Sequence, residues 1–416
     1  MYIMLKGKVY FDNNATTFMS PAVCAQLSCW CNRGNASASY ESARQSREMM
    51  TEFRDYMLKL CRSADAQYQI IFVSGASEAN STILRTASDA WRFAMGAVPH
   101  IVVSSIEHKS VLMAVESMRD LGLISYTLVD PTPTGHILPE AIEVAIQRDT
   151  CLIVCMSANN ETGAINAIKD IGQVAHSHNI PLYVDATQSF GKFGMNPLAN
   201  NVDAFCMSFH KMGGPVGVGA LIIKRQFVAG WKLKPLIYGT QENNMRGGTE
   251  NIAGIAASML ALKETMQDRR VKNAAMAATR DYIVSEISKH APSITYPAYM
   301  HRVRQGVQLP AVEIVFLSGI SPAYLPNTIL LSVVKRTKPP MCNAELKREL
   351  ENANIIVSIG SACNTSDAKA SHVLYAMKAD TLILKGAIRI SLGDLNTVNE
   401  AKLFVRAFLS IVKKHT

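Results

Sequence analysis

From about residue 68 to residue 225, short apolar runs rich in β-branched residues alternate with polar turns and longer amphipathic stretches. The runs YQIIFV (68–73), HIVVSS (100–105), CLIVCMS (151–157), PLYVDA (181–186), DAFCMS (203–208) and GALIIK (219–224) read as strands. Being apolar nearly throughout rather than at alternate positions, they fit strands covered on both faces. Between them, SEANSTILRTASDAWRFAM (77–95) and AIKDIGQVAHSHN (167–179) carry a helical pattern. Strands separated by helices predict an α/β fold with a largely parallel sheet sandwiched between helices.

Further on, 254–290 holds no proline and predicts one long helix joining two units. Strand-like AVEIVFLSG, ILLSVV, IIVSIGSAC and AIRISLGD, interleaved with helical NAELKRELENA and NEAKLFVRAFLSIVKK, predict a second, smaller α/β unit. A chain of 416 residues exceeds one ordinary core, which agrees with a large and a small domain.

Composition narrows the picture modestly. The longest apolar runs fall far short of a membrane span, and polar residues interrupt any signal-peptide core at the N-terminus. The net charge of +9 lacks the clustered basic and aromatic pattern of nucleic-acid binders. Nine scattered cysteines, with no secretory signal, predict free thiols in the cytoplasm or another reducing compartment. The cluster CAQLSCWC (24–31) has no paired C-x-x-C spacing and no second His/Cys group, so no metal is expected.

Polar residues collect just after the strands. Ser74-Gly75-Ala76-Ser77 leads into a helix, and Glu107-His108-Lys109, Asn159-Asn160-Glu161, Asp185 with Thr187 and Gln188, and Ser208 with His210 and Lys211 follow four further strands. Singly, each has an ordinary reading: Ser74 or Ser77 could cap the helix, and His108 could be structural. Together they mark one composite site at the carboxyl ends of a parallel sheet. Lys211 precedes its glycines, in SFHKMGGPVGVGA (208–220), so this is not a P-loop lysine. One ligand would satisfy all five groups: a phosphate for the helix start, a ring to stack on His108, a ring nitrogen for Asp185 and an aldehyde for Lys211. Pyridoxal 5'-phosphate has those parts.

The segments SGASEAN, SSIEHKSVL, NNETGAI, YVDATQSFGK, SFHKMGGPVGVGAL, MRGGTEN and GSACN occur in one order across the chain. In that set the chain resembles the NifS/IscS-type cysteine desulfurases, in the class V aminotransferase group of fold-type I pyridoxal-phosphate enzymes. The resemblance implies a large domain at 18–260 with a mostly parallel seven-stranded-type sheet. A small domain would comprise 1–17 and 261–416 and carry the catalytic cysteine loop. It further implies that Lys211 holds the cofactor aldehyde, His108 stacks on the ring and assists proton transfer, and Asp185 pairs with the pyridine nitrogen. Gln188 and Asn160 would contact the ring hydroxyl side, and Ala76, Ser77, Ser208 and His210 the phosphate. Thr249 would reach the phosphate across a homodimer interface. Arg389 would grip the substrate carboxylate, with Asn35 beside it.

Cys363 sets a desulfurase apart from a transaminase: its segment, SACNTSDAKAS, is too polar for a core. A thiolate there could take sulfur from L-cysteine, leaving alanine and a persulfide, for delivery to an iron–sulfur scaffold or another sulfur acceptor. The chain departs from the family's pattern at YGTQE (238–242), at Ile359, after Cys363 and at 330–346. A selenocysteine lyase or another lyase of this fold is the alternative enzyme. A non-catalytic homologue acting as an interaction or nucleic-acid-binding protein is the alternative outside enzymes.

Overall fold

The computed structural model describes residues 7–62, 67–194, 196–359 and 371–415. Seven strands form one sheet in the order Tyr68–Val73, Gly219–Lys224, Ala204–Ser208, Leu182–Asp185, Thr150–Val154, His100–Ser104, Ser125–Val129. Gly219–Lys224 runs antiparallel to both neighbours, and the other adjacent pairs are parallel. Alternate residues of each strand enter opposite cores. Phe72, Val102, Ile153, Val184 and Phe205 pack on one face, and Ile71, Val103, Leu152, Tyr183 and Cys206 on the other. Coverage on both faces is why these runs are apolar throughout.

The strand Ser125–Val129 is not evident in the hydrophobic pattern. Among the described residues it pairs only with His100–Ser104, at the sheet edge, and most of its residues are half-buried, so no apolar run marks it.

The remaining strands form a four-stranded sheet in the order Ala387–Ser391, Thr328–Lys335, Val312–Phe316, Ser293–Thr295. Val9–Tyr10 pairs in parallel with Ile355–Ile356, and Asp12 bridges to Ser391. The N-terminal segment is thereby laid into this second unit, where Val9 and Phe11 pack with Ile283, Ile314, Phe404 and Phe408.

One expectation is corrected. The segment 254–290 is two helices, Ile252–Met266 and Arg269–His290, separated where Asp268 takes a left-handed conformation (φ 53°). Neither proline nor glycine signals the break. It is set by packing: Ile255, Met259 and Leu262 belong to the first core, while Met276, Ile283 and Ile287 belong to the second. One straight helix would have to present both sets along a single stripe. Among the described residues, no helix is long and apolar enough to cross a membrane.

Candidate functional site

The carboxyl ends of the parallel strands open into a cavity of about 470 Å³, within the range of cofactor sites. Ala76, Ser77, His108, Asn160, Asp185, Gln188, Ser208, His210, Lys211 and Arg389 all line it. The structure thus brings together ten residues drawn from segments far apart in the chain.

One wall is the start of the helix Ala76–Met95. Its N-cap is Gly75 and no side chain caps it, so neither Ser74 nor Ser77 takes that role. The Ala76 N–H instead donates to Ser208 Oγ at 2.8 Å. A twenty-residue helix that begins uncapped at a cavity offers its N-terminal amides and dipole to an anion. The approach depends on Gly219: a Cβ there would stand 2.6 Å from Gly75 Cα and 2.7 Å from the Met207 carbonyl oxygen.

Lys211 follows the strand Ala204–Ser208, and its Nζ donates to the carbonyls of Asn14 (2.8 Å) and Ala15 (2.6 Å). Burial first, and the Arg389 charge second, bring its pKa down from 10.5 to about 8. A substantial neutral fraction near neutral pH makes it a competent amine nucleophile.

Asp185 closes the strand Leu182–Asp185 and is buried. Its Oδ1 accepts the Thr187 N–H at 2.9 Å, and its Oδ2 accepts from Asn80 Nδ2 at 3.4 Å. Thr187 Oγ1 is buried in the cavity wall with no hydrogen-bond partner among the described residues.

His108 caps the helix Lys109–Asp120, its Nδ1 accepting the Ser110 N–H at 3.1 Å. Burial and the charge of Lys211 hold its pKa below the ordinary value, against the opposing pull of Asp185. The ring is therefore neutral at neutral pH and carries its proton on Nε2. Burial and Lys211 take His210 down to about 4, so it too is neutral.

Arg389 lies on the strand Ala387–Ser391 with its side chain 5% exposed. One terminal nitrogen donates to the Asn160 carbonyl at 3.0 Å and the other to Asp12 Oδ1 at 2.6 Å. Its Nε has no partner among the described residues. A buried donor left unmade is costly, and a substrate carboxylate in the cavity would answer it.

Three further expectations fall elsewhere. Asn35 is exposed, its Oδ1 accepting the Ser37 N–H at 2.9 Å, and does not line this cavity. Thr249 lines a separate small cavity with Phe72, Arg246 and Glu250. Cys363 lies outside the described residues.

Sequence reasoning gave no role to two residues that build the site, Asn14 and Glu107. Asn14 is buried and ties it together: its carbonyl accepts from Lys211 and from Gln188 Nε2 (3.0 Å). Its side chain meets the Asn160 carbonyl, Thr328 and Asn327. Glu107, the residue before His108, is fully buried, and burial raises its pKa from 4.5 to about 8. Its Oε1 accepts from the Ser104 hydroxyl and the Met156 N–H. The available signal for Glu107 was its place inside the motif SSIEHKSVL, next to His108.

The chain matches the family described as Aminotransferase class-V over residues 9–404. It is 30% identical to a protein named cysteine desulfurase IscS from Dictyoglomus turgidum, covering 99% of this chain and 96% of that one. It is 31% identical to a NifS/IcsS protein homolog from Lactobacillus delbrueckii subsp. bulgaricus, covering 96% of each. Among solved structures it is similar to a NifS-like protein, with TM-score 0.82 and 27% identity over 98% of this chain and all (100%) of that one. It is also similar to SspA in complex with cysteine, with TM-score 0.71 and 28% identity over 93% of this chain and 99% of that one.

Proposed function

The chain belongs to the class V aminotransferase family, among relatives of NifS/IscS type, and from that premise we propose that it is a pyridoxal-phosphate-dependent cysteine desulfurase. The observation that carries the reading is the joint placement of Lys211, Asp185, the uncapped helix start at Ala76 and the partnerless Arg389 Nε on one cavity.

The donor set fits the cofactor. Ala76, Ser77, Ser208 and His210 would hold its phosphate, Asp185 its ring nitrogen, Asn160 and Gln188 the ring hydroxyl side, and Lys211 its aldehyde carbon. When bound, the cofactor supplies an electron sink for bonds broken at the substrate. The chain's own residues do the rest. Arg389, held by Asp12 and Asn160, orients L-cysteine through its carboxylate. His108, neutral and fixed through Nδ1, moves protons at Nε2.

Cys363 is the proposed sulfur acceptor. Its thiolate forms an S–S bond to the substrate sulfur as the substrate C–S bond breaks, and the protonated product is alanine. Thr249 is proposed to serve the partner subunit's phosphate site in a homodimer, and Asn35 to assist substrate binding there or in its own chain. The small domain is proposed to comprise 1–17 and 261–416, against a large domain at 18–260. The sulfur is proposed to pass to an iron–sulfur scaffold or thio-cofactor pathway.

The test is turnover of L-cysteine by wild type and Cys363→Ser. The wild type should release alanine and, with a reductant, sulfide. The variant should keep the visible absorbance of the lysine-linked cofactor and lose sulfide release. Sulfide release undiminished in Cys363→Ser would sink the persulfide route.

A further inference from the structure

Lys211 also lines a second cavity, of about 510 Å³, which shares no other lining residue with the first. Three carboxylates stand in its wall, and each is engaged. Glu264 Oε1 accepts from Ser20 Oγ at 3.0 Å, Asp394 pairs with Lys272 at 3.4 Å, and Glu400 Oε2 accepts the Thr397 N–H at 2.7 Å. Three partly buried cations in the same wall, Lys192, Lys211 and Arg269, form no ion pair with a carboxylate among the described residues. Among the described residues, Lys192 Nζ donates to Gln188, at 2.9 Å to the carbonyl and 3.5 Å to Oε1. Arg269 reaches the Met266 sulfur at 3.6 Å.

Two local features add to this positive character. The helix Arg269–His290 starts at the cavity; its N-cap residue, Asp268, is exposed, makes no side-chain cap and does not line the cavity, and the first turn holds no acidic residue, so the free amides and dipole favour an anion there. Arg269, Lys272, Asn273 and Met276 share one helical face. Asn273 Nδ2 donates to the Lys192 carbonyl, which places that face against Lys192. Burial and the Lys211 charge bring Lys192 down to about 8 against the smaller opposing pull of Asp394, so the nearby carboxylate does not offset the loss of water. Phe18, Phe190 and Leu392 supply apolar wall.

We propose that this second cavity binds a small organic anion, a carboxylate or phosphate on an apolar body, between Lys192 and the helix start at Arg269. The site communicates with the first cavity. Lys192 holds Gln188, Gln188 Nε2 donates to the Asn14 carbonyl, and that carbonyl also accepts from Lys211.

The test uses the purified full chain saturated with pyridoxal phosphate and three probes at matched ionic strength: inorganic phosphate, benzoate and chloride. The melting temperature should rise saturably with phosphate, with benzoate or with both, and not with chloride. A response to phosphate alone identifies a phosphate group as the recognised anion; a response to benzoate alone identifies a carboxylate on an apolar body. Arg269→Gln should weaken the half-saturating concentration about tenfold, as the loss of one charge-assisted hydrogen bond, while L-cysteine turnover stays unchanged. No saturable shift with either probe, or an unaltered half-saturation in Arg269→Gln, would overturn the proposal.

Discussion

Single residues here act through the state in which burial holds them. Lys211, lowered to about 8, exchanges its proton at lower pH than an exposed lysine. Uptake of pyridoxal phosphate by cofactor-free protein needs the neutral amine, so its rate should climb as pH rises towards 8 and level off above it, in stopped-flow absorbance. Glu107 carries the opposite consequence. Its folded-state pKa of about 8 lies above the unfolded value near 4.5, so the protonated carboxyl stabilises the fold below about 4.5. That contribution is lost progressively as pH rises to about 8. Glu107→Gln, which cannot ionise, should show a flatter dependence of melting temperature on pH between 5 and 9 than wild type. Arg389→Ala should lower kcat/KM for L-cysteine roughly 10- to 100-fold, the size of one charge-assisted hydrogen bond at about 1.5–3 kcal/mol. Much of this scale was legible. Lys211, Asp185, His108 and Arg389 stand at strand ends or in recognised motifs. Asn14 and Glu107 were given no role, because theirs comes from partners more than a hundred residues away or from complete burial, neither of which leaves a local pattern.

At the scale of elements, the site depends on how closely segments approach. The turn before the helix Ala76–Met95 presses on the strand Gly219–Lys224, where a Cβ at Gly219 would overlap backbone. Gly219→Ala should therefore destabilise the fold and weaken phosphate binding, read as a lower melting temperature together with a lower cofactor content after dialysis. Strands covered on both faces were legible as apolar runs, almost to the residue for Tyr68–Val73 and Gly219–Lys224. The edge strand Ser125–Val129 was hidden by its half-buried, mixed composition. The break at Asp268 was hidden because two cores, rather than a helix-breaking residue, dictate it.

At the scale of the whole molecule, the second unit is stitched to the first through the N-terminal segment. Asp12 holds Arg389, and Asn14 joins Lys211 and Gln188 to Asn327, Thr328 and Ser391. The proposed substrate-binding and cofactor-binding residues thus come from both sheets, which no single stretch of sequence displays. The proposed use of Thr249 by a partner subunit predicts that Thr249→Ala weakens cofactor retention without touching the chain's own cavity. It also predicts that mixed dimers of Thr249→Ala and Lys211→Ala hold one intact site and one site with both defects, whereas use of Thr249 within its own chain would leave one defect in each. The central claim, that Lys211 is the anchor on which L-cysteine is converted, is tested most directly by alanine formation from L-cysteine in wild type and Lys211→Ala, both refolded with pyridoxal phosphate. The account predicts alanine and visible cofactor absorbance in the wild type and neither in the variant. Alanine formed at the wild-type rate by Lys211→Ala, or a wild type that binds no cofactor, would contradict it.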